Sequence, residues 1–186
     1  MKNPILLVDD ESHVLSSIKR ALFDEPLEIY TAESGENALK IMASETFKVV
    51  MSDERMPGMS GAEFLAKAKD LYPNTIRIML TGHATIEAAI NAVNSGEIYR
   101  FFSKPWNDYD LKFAIKSAIE KYDLETENSR LLATLRQQAL EIRILEKRYP
   151  GISRVEKDSK GVFVLPDIPD EEIDRMMCEC EKEFRP

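Results

Sequence analysis

Five short apolar runs, each followed by an amphipathic stretch, constrain this chain more than any other feature. The runs are Ile5 to Val8, Leu27 to Ala32, Phe47 to Met51, Ile76 to Leu80 and Ile98 to Phe102. They are continuous rather than alternating, so strands built from them need cover on both faces. Helical patterns lie between them. Val14, Leu15, Ile18, Ala21 and Leu22 follow a cap at Ser12, and Ala38, Leu39, Ile41 and Met42 follow Gly35. A third helix runs from Ser60 to about Leu71 after the loop Met56-Pro57-Gly58, and a fourth from about Thr85 to Asn94. Strands alternating with helices in this way predict an α/β doubly wound domain with a five-stranded parallel sheet.

From Asp108 the pattern turns helical and continues to about Pro150. Leu111, Ala114, Ile115, Ala118, Ile119 and Tyr122 form a face that packs on the sheet as a fifth helix. Beyond it Leu124, Asn128, Leu131, Leu135, Gln138, Ile142, Leu145 and Tyr149 recur at 4-3 spacing, the seam of a coiled coil with Asn128 at an a position and Gln138 at a d position. The alternative is a solvated extension whose leucines touch their own domain. In a parallel pair Glu141 at g would face Glu146 at e of its partner, which disfavours that arrangement. The remaining residues read as a small α+β tail. Ile152 to Val155 and Val162 to Leu165 flank a turn in a hairpin, and Pro169 opens a helix carrying Ile173, Met176, Met177, Cys180 and Phe184 on one face. The expected organisation is a domain over 1–124, a helical extension over 125–149 and a tail over 150–186.

Composition closes off several functions. Asp and Glu number 33 against 25 Lys and Arg, a net charge of −8, which opposes uniform attraction to nucleic acid or an anionic membrane. No run approaches the length of a membrane span, and the N-terminus is too short and acidic for a signal peptide. Cys178 and Cys180 point to different faces of a helix and read as reduced thiols, so the chain is expected to be cytoplasmic.

The chemistry gathers at the carboxyl ends of the strands, where open α/β sheets bind ligands. Strand one delivers Asp9 and Asp10, strand three Asp53, strand four Thr81, and strand five Lys104 followed by Pro105. Three carboxylates on one edge repel unless a cation shares them, and all-oxygen donors suit a hard ion such as Mg²⁺. Thr81 and Lys104 add donors for phosphoryl oxygens. Taken singly, these are an acidic helix start, a turn former, a strand threonine and a snorkelling lysine. Their convergence favours a site that accepts phosphate onto a carboxylate.

Four motifs carry a family resemblance. Leu6-Leu7-Val8-Asp9-Asp10-Glu11, Ser52-Asp53-Glu54-Arg55-Met56-Pro57-Gly58-Met59-Ser60-Gly61, Leu80-Thr81-Gly82 and Phe101-Phe102-Ser103-Lys104-Pro105 occur in order. Residues 1 to about 124 thereby resemble the receiver domain of two-component response regulators, with its flavodoxin-like fold. The resemblance implies that Asp53 is the phosphoacceptor, taking its phosphoryl group from the phosphohistidine of a sensor histidine kinase. It implies that Asp9, Asp10, Asp53 and the backbone carbonyl of Arg55 hold Mg²⁺, that Thr81 and Lys104 contact the phosphoryl oxygens, and that Phe101 is the switch aromatic. Core packing is the plainer role for Phe101 and the better one for Phe102. Arg55 and His83, each two residues beyond a site residue, are expected to tune the phosphoryl lifetime.

The output is less constrained. No G-x-x-x-x-G-K-[ST] loop encodes an ATPase, and the tail from Tyr149 carries six basic and ten acidic residues and is short for a winged helix, so DNA binding is disfavoured. The expectation is a non-enzymatic regulator whose phosphorylation drives homodimerisation or docking of a downstream protein. Two alternatives stand beside it. One is a receiver fragment of a larger regulator lacking its catalytic domain. The other is a phosphatase with an aspartyl-phosphate intermediate, for which Arg55 is a poor general acid.

Overall fold

The computed structural model describes residues 3–82, 98–149, 156–157 and 163–164. The chain divides into two units, Met1–Leu132 and Ala133–Pro186. In the first unit, strands β1 (Asn3–Val8), β2 (Leu27–Ala32), β3 (Val49–Asp53), β4 (Ile76–Thr81) and β5 (Arg100–Ser103) form one sheet in the order β2-β1-β3-β4-β5. All four ladders are parallel. Helices α1 (Ser12–Ala21), α2 (Gly35–Ser44), α3 (Gly61–Leu71) and α4 (Asp108–Arg148) accompany the sheet.

The continuous apolar runs work as the sequence requires, because successive side chains leave a strand on opposite faces. Ile5 and Leu7 of β1 join Val49, Met51, Ile78 and Leu80 in one core, closed by Val14, Leu15 and Ile18 of α1 and by Leu111, Ile115 and Ile119 of α4. Leu6 and Val8 join Val50 and Met79 in the other, closed by Ala38 and Met42 of α2 and by Phe64 and Leu65 of α3. Phe47 and Phe64 are fully buried there. The doubly wound sheet is therefore observed. Its winding reverses between β1 and β3, so the crevice at the carboxyl ends of those two strands is the natural binding site.

Several boundaries differ from the sequence reading, each for a local reason. Ser12 does not cap α1. Asp9 Oδ1 accepts the Glu11 amide at 2.9 Å, so Glu11 takes the cap position and Ser12 becomes the first helical residue. Phe47 and Ile98 precede their strands rather than starting them, because their side chains fill the second core while the ladders begin at Val49 and Arg100. Ser60 caps α3 in a reciprocal box, accepting from the Glu63 amide at 3.2 Å while Glu63 Oε2 accepts the Ser60 amide at 3.0 Å.

The buried face of α4 lies in its first third, held to the domain by ion pairs of Lys48 with Asp123 at 2.6 Å and Lys112 with Asp24 at 2.5 Å. Leu124, Leu131, Leu135, Ile142 and Leu145 of the expected seam are exposed along the rest. In the second unit, Glu156–Lys157 (β6) pairs antiparallel with Phe163–Val164 (β7). The expected first hairpin strand, Ile152 to Val155, lies outside the described residues. The expected helices over 85–94 and from Pro169, together with His83, Cys178 and Cys180, lie outside the described residues.

Candidate functional site

Asp9 follows the last residue of β1 and Asp53 ends β3, so the switch in winding places two carboxylates on adjacent strands. Both are buried: Asp9 is 0% exposed and Asp53 6%. One cation joins them. Lys104 Nζ, arriving from the end of β5, lies 2.9 Å from Asp9 Oδ2 and 2.5 Å from Asp53 Oδ1. Its backbone amide donates to the Thr81 carbonyl at 2.8 Å, which locks the end of β5 beside that of β4. The remaining carboxylate oxygens are held by backbone amides, Asp9 Oδ1 by Glu11 at 2.9 Å and Asp53 Oδ2 by Arg55 at 2.7 Å.

These contacts set the titration of the group. Burial raises the Asp9 carboxyl above its ordinary value, and hydrogen bonds from Lys104 and the Glu11 amide offset only part of that rise. Burial works against the Lys104 ammonium, but its bonds to Asp53 and Asp9 outweigh it and push the amine above the usual lysine value. The site therefore keeps its lysine charged at neutral pH and holds a carboxyl group that burial has made easier to protonate than an ordinary aspartate.

Thr81 ends β4 and is fully buried. Its hydroxyl donates to Glu54 Oε2 at 2.9 Å and lies 3.1 Å from the Gly82 carbonyl. Ser52 is also fully buried and donates to the Asp53 carbonyl at 2.8 Å. The N-terminus of α3 presses on the same carbonyl: a Cβ on Gly61 would stand 1.9 Å from the Asp53 oxygen. Glycine is needed there by close approach rather than by its φ angle.

The structure thus brings Asp9, Asp53 and Lys104 together, with Thr81 beside them through Glu54. Asp10 is exposed, and among the described residues no three acidic, imidazole or thiol groups are gathered around one point. The charge conflict foreseen among the carboxylates is relieved by Lys104 instead. The donor chemistry still suits a hard divalent ion, since two buried carboxylates already share one cation and Mg²⁺ needs only one or two. Arg55 meets Asp53 through its amide, and its side chain is exposed. Phe101 is half-buried against the second core and Phe102 against the first, so the two leave β5 on opposite faces.

Sequence reasoning missed Glu54, Ser52 and Gly61 as members of the site. Gly61 had a signal, a glycine directly at a helix start after an acidic strand end. Ser52 and Glu54 had none, because their roles come from side-chain direction at the end of β3.

The response regulator receiver domain model matches residues 5–116 of the chain. The hydrogenase transcriptional regulatory protein HoxA of Cupriavidus necator is 33% identical over 132 residues, 71% of this chain and 27% of that protein. The DNA-binding transcriptional regulator NtrC of Escherichia coli is 33% identical over 118 residues, 63% of this chain and 25% of its own length. The chain spans about a quarter of the length of these curated relatives. A solved structure described as an adenylate cyclase from Rhodopirellula baltica is 44% identical, with a TM-score of 0.67 over 72% of this chain and 98% of that one.

Proposed function

The chain belongs to the response regulator receiver family and works in phosphorylation-based signalling, and from that premise we propose that Asp53 takes a phosphoryl group from the phosphohistidine of a sensor histidine kinase. The observation that carries this reading is the Lys104 ammonium shared by two buried carboxylates at the reversal of winding. One Asp53 oxygen attacks phosphorus as the bond to the imidazole nitrogen breaks, and the electron pair leaves with the imidazole. The Arg55 amide holds the other oxygen and so orients the attack. Before transfer Lys104 restrains the nucleophile, and as charge passes to the phosphoryl oxygens the ammonium follows it. Thr81 contributes its hydroxyl to those oxygens, and Phe101 rearranges into the space its movement opens.

Asp9, Asp10, Asp53 and the Arg55 carbonyl would hold Mg²⁺, which supplies charge neutralisation at the phosphoryl oxygens when bound. Arg55 and His83, each two residues beyond a site residue in the sequence, would set how long the acyl phosphate lasts.

For the output, the exposed stripe Leu131, Leu135, Ile142 and Leu145 supports phosphorylation-dependent dimerisation or docking of a downstream protein through the long helix. On this reading the chain is not itself an enzyme. A second reading is favoured by HoxA and NtrC, named as transcriptional and DNA-binding regulators. It makes the receiver the regulatory part of a larger regulator that acts on DNA.

Incubation with phosphoramidate and Mg²⁺, followed by intact mass and sedimentation, tests both steps. A single hydroxylamine-labile phosphate is expected on the wild type and none on Asp53→Asn, with a doubling of sedimenting mass for the phosphorylated form. Phosphate on Asp53→Asn refutes the assignment of the acceptor. An unchanged sedimenting mass in phosphorylated protein removes homodimerisation as the output.

A further inference from the structure

A buried hydroxyl needs an acceptor, and the one Thr81 has chosen is informative. Thr81 is fully buried, and its single proton lies between Glu54 Oε2 at 2.9 Å and the Gly82 carbonyl at 3.1 Å. The carboxylate is both closer and charged, so it is the stronger partner. Glu54 is well placed to hold it. Its amide donates to the Leu80 carbonyl at 2.9 Å and its own carbonyl accepts the Gly61 amide at 2.9 Å. Its backbone is pinned on both sides, and its side chain spans the gap from the end of β3 to Thr81 at the end of β4. The phosphotransfer derived above makes no use of Glu54.

We propose that Glu54 is a positioning residue that restrains Thr81 while Asp53 is unphosphorylated and surrenders it to the phosphoryl group. The inference rests on the roles given above to Asp53 and Thr81. A phosphoryl group on Asp53 acts on this bond from both ends. It brings nearly two negative charges beside the Glu54 carboxylate, and its oxygens compete for the single hydroxyl proton of Thr81. Glu54 therefore adds to the stability of the resting arrangement and is repelled in the activated one. The equilibrium between the two is set by this difference.

The test uses the full chain with ¹³C-methyl-labelled threonine, the Thr81 methyl signal being assigned through Thr81→Ser. In wild type, phosphoramidate with Mg²⁺ moves that signal from a resting to an activated position. Glu54→Ala, without phosphodonor, moves it toward the activated position by a roughly tenfold change in the equilibrium, the worth of one hydrogen bond to a charged acceptor. Glu54→Gln falls between, because its amide keeps an acceptor and loses the charge. Signals of both variants at the resting wild-type position overturn the inference, whether or not their melting temperatures drop. The wild type is the control for the premise: phosphate on Asp53 with an unmoved Thr81 signal, or no phosphate at all, overturns the earlier reading and the inference with it.

Discussion

Replacing Lys104 by methionine isolates what the shared cation contributes. The substitution keeps most of the stem and removes the charge, leaving Asp9 and Asp53 facing each other with side chains 1% and 8% exposed. Breaking a fully buried ion pair by deleting one partner costs about 3–5 kcal/mol, mostly from the charge left behind. The Lys104 side chain is 23% exposed, so water can reach part of the vacated space, and about 2–4 kcal/mol is the appropriate loss at neutral pH. The loss must also depend on pH. Asp9 already has a raised pKa because of burial, and without Lys104 one of the forces lowering it disappears. The folded variant then binds a proton that the unfolded chain does not, so its stability falls as pH rises through that folded value. The deficit relative to wild type is therefore larger at pH 8 than at pH 5. Urea unfolding followed by fluorescence of Trp106, the single tryptophan and packed against the first core, measures it. Adding Asp53→Asn to Lys104→Met removes the repulsion and is expected to recover at least half of the loss. A deficit below about 0.5 kcal/mol, the ordinary range of surface substitutions, together with no pH trend, would refute the reasoning.

Two further outcomes follow from the same geometry. Gly61→Ala places a methyl group 1.9 Å from the Asp53 carbonyl oxygen, so backbone must move, costing about 1–3 kcal/mol in the same urea experiment and slowing phosphorylation by phosphoramidate; an unchanged midpoint and rate would show that α3 does not press on Asp53. Asp9→Asn removes a carboxylate whose pKa burial has raised, so it is expected to stabilise the protein by about 0.5–2 kcal/mol at pH 7 while impairing phosphorylation. Sign fixes its pH dependence: the wild-type penalty exists above the folded pKa and vanishes as pH falls toward 3.8, so the gain must fade on acidification, and a gain that grows instead contradicts the assignment.

Sequence made the site's carboxylates legible for a simple reason. Asp9, Asp53, Thr81 and Lys104 each stand at the end of an apolar run, and a parallel sheet brings all such ends to one edge. The strand Leu27–Ala32 was read to the residue because its run and its ladder coincide. At Phe47 and Ile98 they do not, since apolar character reports burial and says nothing of pairing. Glu54 stayed hidden because its partner Thr81 lies 27 residues away, and only the lateral pairing of β3 with β4 makes them neighbours. Lys104 was found but its resting contacts were not. Two of the three carboxylates share a cation that the chain itself supplies from the end of β5.

That cation also explains why the proposed phosphorylation must move something. Asp9, Asp53 and Lys104 at rest sum to a single negative charge, held in balance by two short ion pairs. A phosphoryl group converts the Asp53 carboxylate into a neutral acyl oxygen bearing nearly two negative charges further out. The ammonium cannot stay midway between Asp9 and the place Asp53 occupied, because the strongest field now lies on the phosphoryl oxygens. Its departure leaves Asp9 buried and unpaired, a cost that a divalent ion bound beside Asp10 would offset. Lys104 is joined to Thr81 through a backbone hydrogen bond and Thr81 to Glu54 through its hydroxyl, so displacement at the site is transmitted to the adjoining ends of β4 and β5. Phe101 lies on that second strand and is only half-buried. On the proposed reading, the charge introduced at β3 would be expressed as a change of shape two strands away, at β5 on the edge of the sheet.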